Sequence, residues 1–255
     1  MDNLNKLDIS LGAALGIHSA VSRVNITGYV TGVTTVKSVD SLAQGAAAGL
    51  PAAAAATTIS SGSTSDTSAG TGARTVLVTG LDANYNIVSE TATMNGRTGV
   101  TLTNQYLRVT NIEVQTAGSG GVNAGIIYVG TGSITTGVPA NIIGGIAAGD
   151  NVFQAARYTV PTGQKLIMTH INVSTYDVDG TLGTPKQVQV DMKVLSNSTG
   201  LKRLVRRMYI PAMATTVRLN PALAISNKDD VWFEAVGSVG ASIGVTAAGY
   251  LINGA

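Results

Sequence analysis

Two carboxylates, Asp177 and Asp179, are the side chains of this sequence whose type and spacing best suit catalysis. They belong to the segment Asp177-Val178-Asp179-Gly180-Thr181. In a phosphoryl-transfer site the first carboxylate would attack phosphorus and the second would act as acid and base, with Mg²⁺ between them. This segment is therefore the first candidate for an active site.

The surroundings of the two carboxylates do not fit that chemistry. The spacing is similar to the motif of haloacid-dehalogenase-type phosphatases, which place it after a buried parallel strand and follow it with helices. Here residues 172–176 alternate, as in a half-buried strand, and no helical pattern follows. A calcium site is not expected either, because residues 182–190 contain no acid. We interpret the segment as a polar hairpin turn.

The remaining residue types give no catalytic or metal-binding constellation. His18 and His170 are the two histidines, and they lie far apart without the further ligands or partners of a metal site or a triad. His170 is expected on a strand with a hydrogen-bonded ring. Cysteine is absent, so the chain has no disulfide and no thiolate metal site. We predict a non-enzyme with no catalytic residue, cofactor or metal.

The densest charge cluster is basic and consists of Lys202, Arg203, Arg206 and Arg207. On a regular strand Arg203 and Arg207 share one face, while Lys202 and Arg206 share the other. The cluster therefore forms no single basic stripe, and with a net charge of +2 nucleic-acid binding is not expected. We predict ion pairs with acids on a neighbouring strand or subunit, which makes these four residues the interface candidates.

The composition favours a protein that is buried against partners. Charged residues make up 12% of the chain, and the mean hydropathy is +0.27. No window reaches the roughly 18 apolar residues of a membrane span, because Ser and Thr interrupt every apolar run, and no membrane association is predicted. A surface poor in charge and rich in small residues suits contact with other copies or with a partner.

Three zones follow one another along the chain. Residues 1–45 contain short apolar patches; residues 26–39 could form strands, but we predict a tethered N-terminal arm whose removal leaves the rest folded. Residues 46–72 are rich in Ala, Ser and Gly and are predicted to be a linker, with one or two helical turns after Pro51. Residues 73–255 read as strand after strand.

The strand-rich zone predicts an all-β fold. Alternating segments are separated by Gly, Asn, Asp and Pro, and a hairpin is predicted between Arg74 and Asn95-Gly96. This pattern indicates a jelly-roll-like β-sandwich, alternatively two packed sub-domains that divide near residue 150. Strands are expected near 73–80, 86–94, 98–103, 106–116, 123–130, 154–160, 164–176, 186–196, 201–209, 214–219, 230–237 and 242–252.

Two motifs in this zone resemble segments of virion structural proteins of tailed bacteriophages. The first combines Gly72-Ala73-Arg74-Thr75-Val76 with Gly80-Leu81-Asp82, Glu90 and Asn95-Gly96. The second is Tyr158-Thr159-Val160-Pro161-Thr162-Gly163, in which a strand ends in a turn and a new strand begins. The resemblance covers roughly residues 57–255, and similar motif pairs occur in phage and marine-virus proteins that look like β-sandwich modules.

The resemblance implies a non-enzymatic structural component of a tailed-phage virion. A capsid decoration or cement protein that stabilises the shell through inter-subunit contacts is the first expectation. Its partners would be the major capsid protein or other virion proteins, together with its own copies in a dimer or trimer. One alternative is a tail, knob, adaptor or fibre component. Another is a carbohydrate-binding module for host attachment, which would need aromatic platforms that this sequence supplies sparingly.

Overall fold

The computed structural model describes residues 20–42, 49–177, 187–210, 214–237 and 240–253, and every regular element within them is a β-strand. The strands in chain order are β1 (Val21–Val33), β2 (Lys37–Ser38), β3 (Thr58–Ser61), β4 (Ala73–Leu81), β5 (Ile87–Thr93), β6 (Val100–Thr101), β7 (Arg108–Ala117), β8 (Ile127–Thr135), β9 (Val138–Ile146), β10 (Arg157–Thr159), β11 (Gln164–Asp177), β12 (Val188–Ser196), β13 (Leu201–Ile210), β14 (Ala214–Ile225), β15 (Asp230–Gly237) and β16 (Ala241–Asn253).

The described strands form four small antiparallel sheets. Their orders are β1-β16-β11-β14, β10-β15-β12-β13 with β2 beside β15, β6-β3-β8-β9, and β5-β4-β7. The all-β prediction is confirmed, and so is the hairpin after Arg74, which joins β4 to β5. The arrangement does not establish a jelly roll or a sandwich, so that finer prediction remains a proposal.

Strands β1, β2 and β10–β16, here called the outer group, share one hydrophobic core. Its members come from both sheets of the group, because every second side chain of a strand points to the same face of its sheet. Ile171 and Val245 contribute from one sheet, and Val190 and Phe233 contribute from the other. The two sheets of the outer group therefore pack their apolar faces against each other.

Strands β3–β9, here called the inserted group, surround a second core that includes Ile59, Val78, Tyr106 and Val129. The chain leaves the outer group after β2 and returns to it before β10. The two connections run side by side and pair at Asp40 and Ala155. The inserted group is therefore an insertion within the outer group.

Strand β1 lies in the region that the sequence indicated as a separate arm. It pairs with β16 along its length, and close approach at Gly28 is essential, since a Cβ there would lie 2.2 Å from the Ala156 nitrogen. The arm prediction is wrong for the described part of 1–45, and removing 1–45 would take a strand out of a sheet. Residues 1–19 lie outside the described residues. The buried side chains of β1 are Val24, Ile26, Val30 and Val33.

The predicted linker, residues 46–72, contains strand β3 and a buried carboxylate. Asp66 is fully buried and accepts four hydrogen bonds. The donors are Ser61 Oγ at 2.6 Å, Ala73 N at 2.7 Å, Ala124 N at 2.8 Å and Gly125 N at 2.9 Å. A polar segment packs in a core when its polar groups find such partners. The linker prediction is wrong here, no helical turn follows Pro51, and residues 43–48 lie outside the described residues.

A buried ion pair joins the two groups. Arg108 of β7 donates from Nε and Nη2 to the two carboxylate oxygens of Asp230 on β15, at 2.8 and 2.7 Å, and the two side chains are 4% and 0% exposed. Asp230 also accepts from Thr159 Oγ1 at 2.5 Å and from Asn197 Nδ2 at 2.8 Å. Arg108 Nη1 donates to the Pro51 carbonyl at 2.6 Å. Both charges are thus hydrogen-bonded as well as paired.

Candidate functional site

Strand β13, which carries all four basic interface candidates, lies at the edge of its sheet. It pairs with β12 on one side, and no strand within the described residues pairs with its other side. Residues 201–207 are exposed. An edge strand of this length presents a row of free backbone N–H and C=O groups to which another chain can add.

Large apolar side chains are unusually exposed on this strand. Of the nine large hydrophobic residues that are exposed in the described part of the chain, four lie on β13. Scattered single apolar residues are normal on a protein surface, whereas several on one edge strand can all be covered by a strand that adds to that edge. The four are Leu201 at 52%, Leu204 at 49%, Val205 at 39% and Tyr209 at 69%.

The basic residues lie on β13 in a grouping that differs from the predicted one. The register between β12 and β13 shifts, so that Arg206 pairs with Met192 and Leu204 pairs with Lys193, which leaves Val205 as an extra residue. This β-bulge reverses the alternation beyond it. Lys202 and Arg207 therefore share a face, and Arg203 and Arg206 share the other.

Arg207 forms an ion pair with an acid on the neighbouring strand. Its Nε and Nη2 each donate to a carboxylate oxygen of Asp191 on β12, both at 2.8 Å. The Arg207 side chain is 43% exposed and that of Asp191 is 9% exposed. Lys202, Arg203 and Arg206 make no ion pair within the described residues. Lys202 and Arg206 are therefore available to a partner, whereas Arg203 also interacts electrostatically with Asp229.

We expect the Asp191 carboxyl to titrate below its ordinary pKa of 3.8, because the hydrogen bonds from Arg207 favour the ionised form. With the folded-state pKa lowered, the pair stabilises the fold above about pH 4, and this contribution is lost as the pH falls through the lowered pKa. Carbon-detected NMR titration measures this pKa, and Arg207→Ala should return it toward 3.8. A wild-type pKa at or above the ordinary value would contradict the assignment.

The other sequence candidates lie apart from this edge. Asp177 ends β11, and residues 178–181 of the paired-carboxylate segment lie outside the described residues, as does His18. His170 is on β11, and its Nδ1 lies 3.1 Å from the hydroxyl of Thr169, as expected for a hydrogen-bonded strand residue. Within the described residues no three His, Asp or Glu side chains form a group that could hold a metal.

The apolar side chains of this surface could not be recognised from the sequence pattern. Exposure of Leu201 and Leu204 was not predicted, because alternation alone does not tell an edge strand from a central one. The available signal was their position among four charges, which cannot lie in a core unpaired. No helix in the described part of the chain is long and apolar enough to cross a membrane.

Known proteins show almost no detectable similarity to this chain. No protein-family model matches the chain, and no curated protein matches it. One solved structure, "Structure of infectious bursal disease virus Gx strain", shares 10% identity over 92% of this chain and 76% of that chain, with a TM-score of 0.21. A similarity at that TM-score carries no argument about fold or function.

Proposed function

We propose that the protein is a non-enzymatic structural component of a tailed-phage virion, in first place a capsid decoration or cement protein. The observation that carries this proposal is the open edge of β13, which exposes backbone, apolar side chains and the positive charges of Lys202, Arg203 and Arg206 together. The outer group, whose two sheets share a core, would be the jelly-roll-like sandwich that presents this edge.

The edge suits strand addition by an acidic segment. A partner strand would satisfy the free backbone groups of β13 and bury Leu201, Leu204 and Val205, while its acids would pair with Arg203 and Arg206. Addition of a second β13 would place like charges opposite one another, which is unfavourable. The partner is therefore an acidic extended segment of the major capsid protein or of another virion protein, and a dimer or trimer would form through a different surface.

Reversing two charges on this edge should prevent attachment. We expect Arg203→Glu/Arg206→Glu to lower the occupancy of the protein on particles at least tenfold, because repulsion replaces attraction at the contact. Quantitative mass spectrometry of purified particles, relative to the major capsid protein, measures the occupancy. The matched control is Arg23→Glu/Lys165→Glu, which makes the same change of net charge at exposed positions on β1 and β11.

The same measurement separates the alternatives. A wild-type ratio that is a simple fraction of the capsid lattice supports the cement role, and a far smaller ratio assigns the protein to the tail, knob, adaptor or fibre. Absence from particles contradicts the virion proposal altogether. Wild-type occupancy of the Arg203→Glu/Arg206→Glu protein would exclude β13 as the attachment surface.

A further inference from the structure

A cleft of about 420 Å³ lies between the outer group and the inserted group. Strand β1 forms one wall, β7 forms the other, and the chain that returns to β10 forms the floor. A smaller depression of about 150 Å³ on the face of the β1-β16-β11-β14 sheet shares Thr27 and Gln154 with it. The lining side chains that could contact a ligand include Asn25, Asn111, Phe153, Gln154, Arg157 and Tyr158.

The lining supplies neutral hydrogen-bonding groups without protein partners. The side-chain amides of Asn25, Asn111 and Gln154 make no hydrogen bond within the described residues. Each amide offers two donors and an acceptor with two lone pairs. Three such amides around one cleft can therefore satisfy several adjacent hydroxyl groups of a ligand.

The single charge in this lining is already engaged. Arg157 is 8% exposed, its Nη2 donates to the Ile143 carbonyl at 2.7 Å, and its guanidinium carbon lies 5.3 Å from the centre of the Phe153 ring. Burial raises the pKa of Tyr158 to about 12, so its hydroxyl is neutral at physiological pH. The cleft thus offers dipoles and two aromatic rings, with no free charge.

The polar lining continues along the adjoining sheet. One row of paired residues crosses all four strands and consists of Thr27, Thr246, Asn172 and Thr216. The Thr216 hydroxyl donates to the Asn172 side-chain oxygen at 3.2 Å, and Thr27 lines the cleft. A ligand longer than a single ring would therefore meet hydroxyl and amide groups beyond the cleft itself.

We propose that this cleft and the adjoining row bind a neutral oligosaccharide. Sugar hydroxyl groups match the amides and hydroxyls of the lining, and the apolar faces of sugar rings match Phe153 and Tyr158. An apolar ligand would leave three amides unsatisfied, and an anion would find its one counter-charge occupied. The inference goes beyond the structural role proposed above, since it adds a ligand site on a different surface.

The test uses the full-length, isotope-labelled protein and NMR titration. Maltohexaose, cellohexaose and N-acetylchitohexaose serve as neutral probes at millimolar concentration, and hexagalacturonate serves as the anionic comparison. We expect at least one neutral probe to shift the side-chain amide signals of Asn25, Asn111 and Gln154. Asn111→Ala/Gln154→Ala should weaken that binding at least tenfold, and the exposed control Gln105→Ala should leave it unchanged.

Several results would overturn the proposal. They are the absence of shifts with every neutral probe, shifts confined to residues outside the cleft, preference for hexagalacturonate, or wild-type binding by the double variant. Should the double variant fail to fold, Thr27→Val removes one lining hydroxyl at an exposed strand position and should weaken binding severalfold. Because the purified protein is titrated alone, the outcome does not depend on whether it belongs to a virion.

Discussion

Asp230→Ala should lower the free energy of unfolding by about 3–5 kcal/mol, because it leaves the Arg108 guanidinium buried without its counter-charge. The same change removes an acceptor of Thr159 and Asn197, so that four hydrogen bonds are lost, the two from Arg108 included. Urea unfolding followed through the single tryptophan, Trp232, measures this loss, since Trp232 is buried two residues away on the same strand.

Two further variants separate the buried pair from a general effect of removing charge. Arg108→Ala/Asp230→Ala should cost less than the sum of the two single changes, because neither charge is then left alone in the interior. Arg207→Ala breaks a pair whose arginine is 43% exposed, and it should change stability less than Asp230→Ala does. Equal costs for Asp230→Ala and Arg207→Ala would show that the pair does not hold the two groups together.

Asp66→Ala should also destabilise the fold, by about 3–5 kcal/mol, since it leaves three backbone N–H groups and a hydroxyl without the acceptor that the fully buried Asp66 side chain supplies. The carboxylate connects the segment after β3 to Ala73 and to the loop at Ala124 and Gly125. Hydrogen exchange of these three amides reports the local loss, and urea unfolding reports the global one. Gly72 allows this approach, because a Cβ there would lie 2.1 Å from Asp66 Oδ1.

Asp82→Ala is the matched control for this prediction. The Asp82 carboxylate accepts hydrogen bonds from the backbone N–H groups of Asn84 and Asn86, at 2.8 and 2.9 Å, in an exposed turn. Water can replace it there, so its removal should cost much less. Wild-type exchange rates at Ala73, Ala124 and Gly125 in Asp66→Ala would contradict the role assigned to Asp66.

Alternation and turn residues predicted most strands from β4 onward, although β8 runs to Thr135 where 130 was predicted and β14 runs to Ile225 where 219 was predicted. Strand β9 was missed because Gly144 and Gly145 interrupt its pattern, although both pack closely, against Val109 and Ile127 respectively. Strand β3 and Asp66 were missed because a run of Ser, Thr and Gly has no apolar period. Its burial depends on hydrogen bonds to residues that lie distant in sequence.

The candidate site could be predicted from the sequence only in part. The basic cluster at Lys202–Arg207 can be recognised in the sequence. Which of its side chains share a face, however, depends on the bulge in the pairing with β12. The cleft could not be predicted, since Asn25, Asn111 and Gln154 come from three distant segments that the insertion brings together. A local sequence pattern does not predict which distant segments lie next to each other in the fold.

The pairing of β1 with β16 has a consequence for synthesis on the ribosome. Val21 pairs with Ile252, so the first described strand can pair along its full length only after residue 252 has been translated. The inserted group needs no residue from either end for its own core and emerges complete in the meantime. A ribosome stalled before residue 241 would therefore carry a folded inserted group. Strand β1 would still be unpaired, and chaperones could bind its exposed apolar side chains.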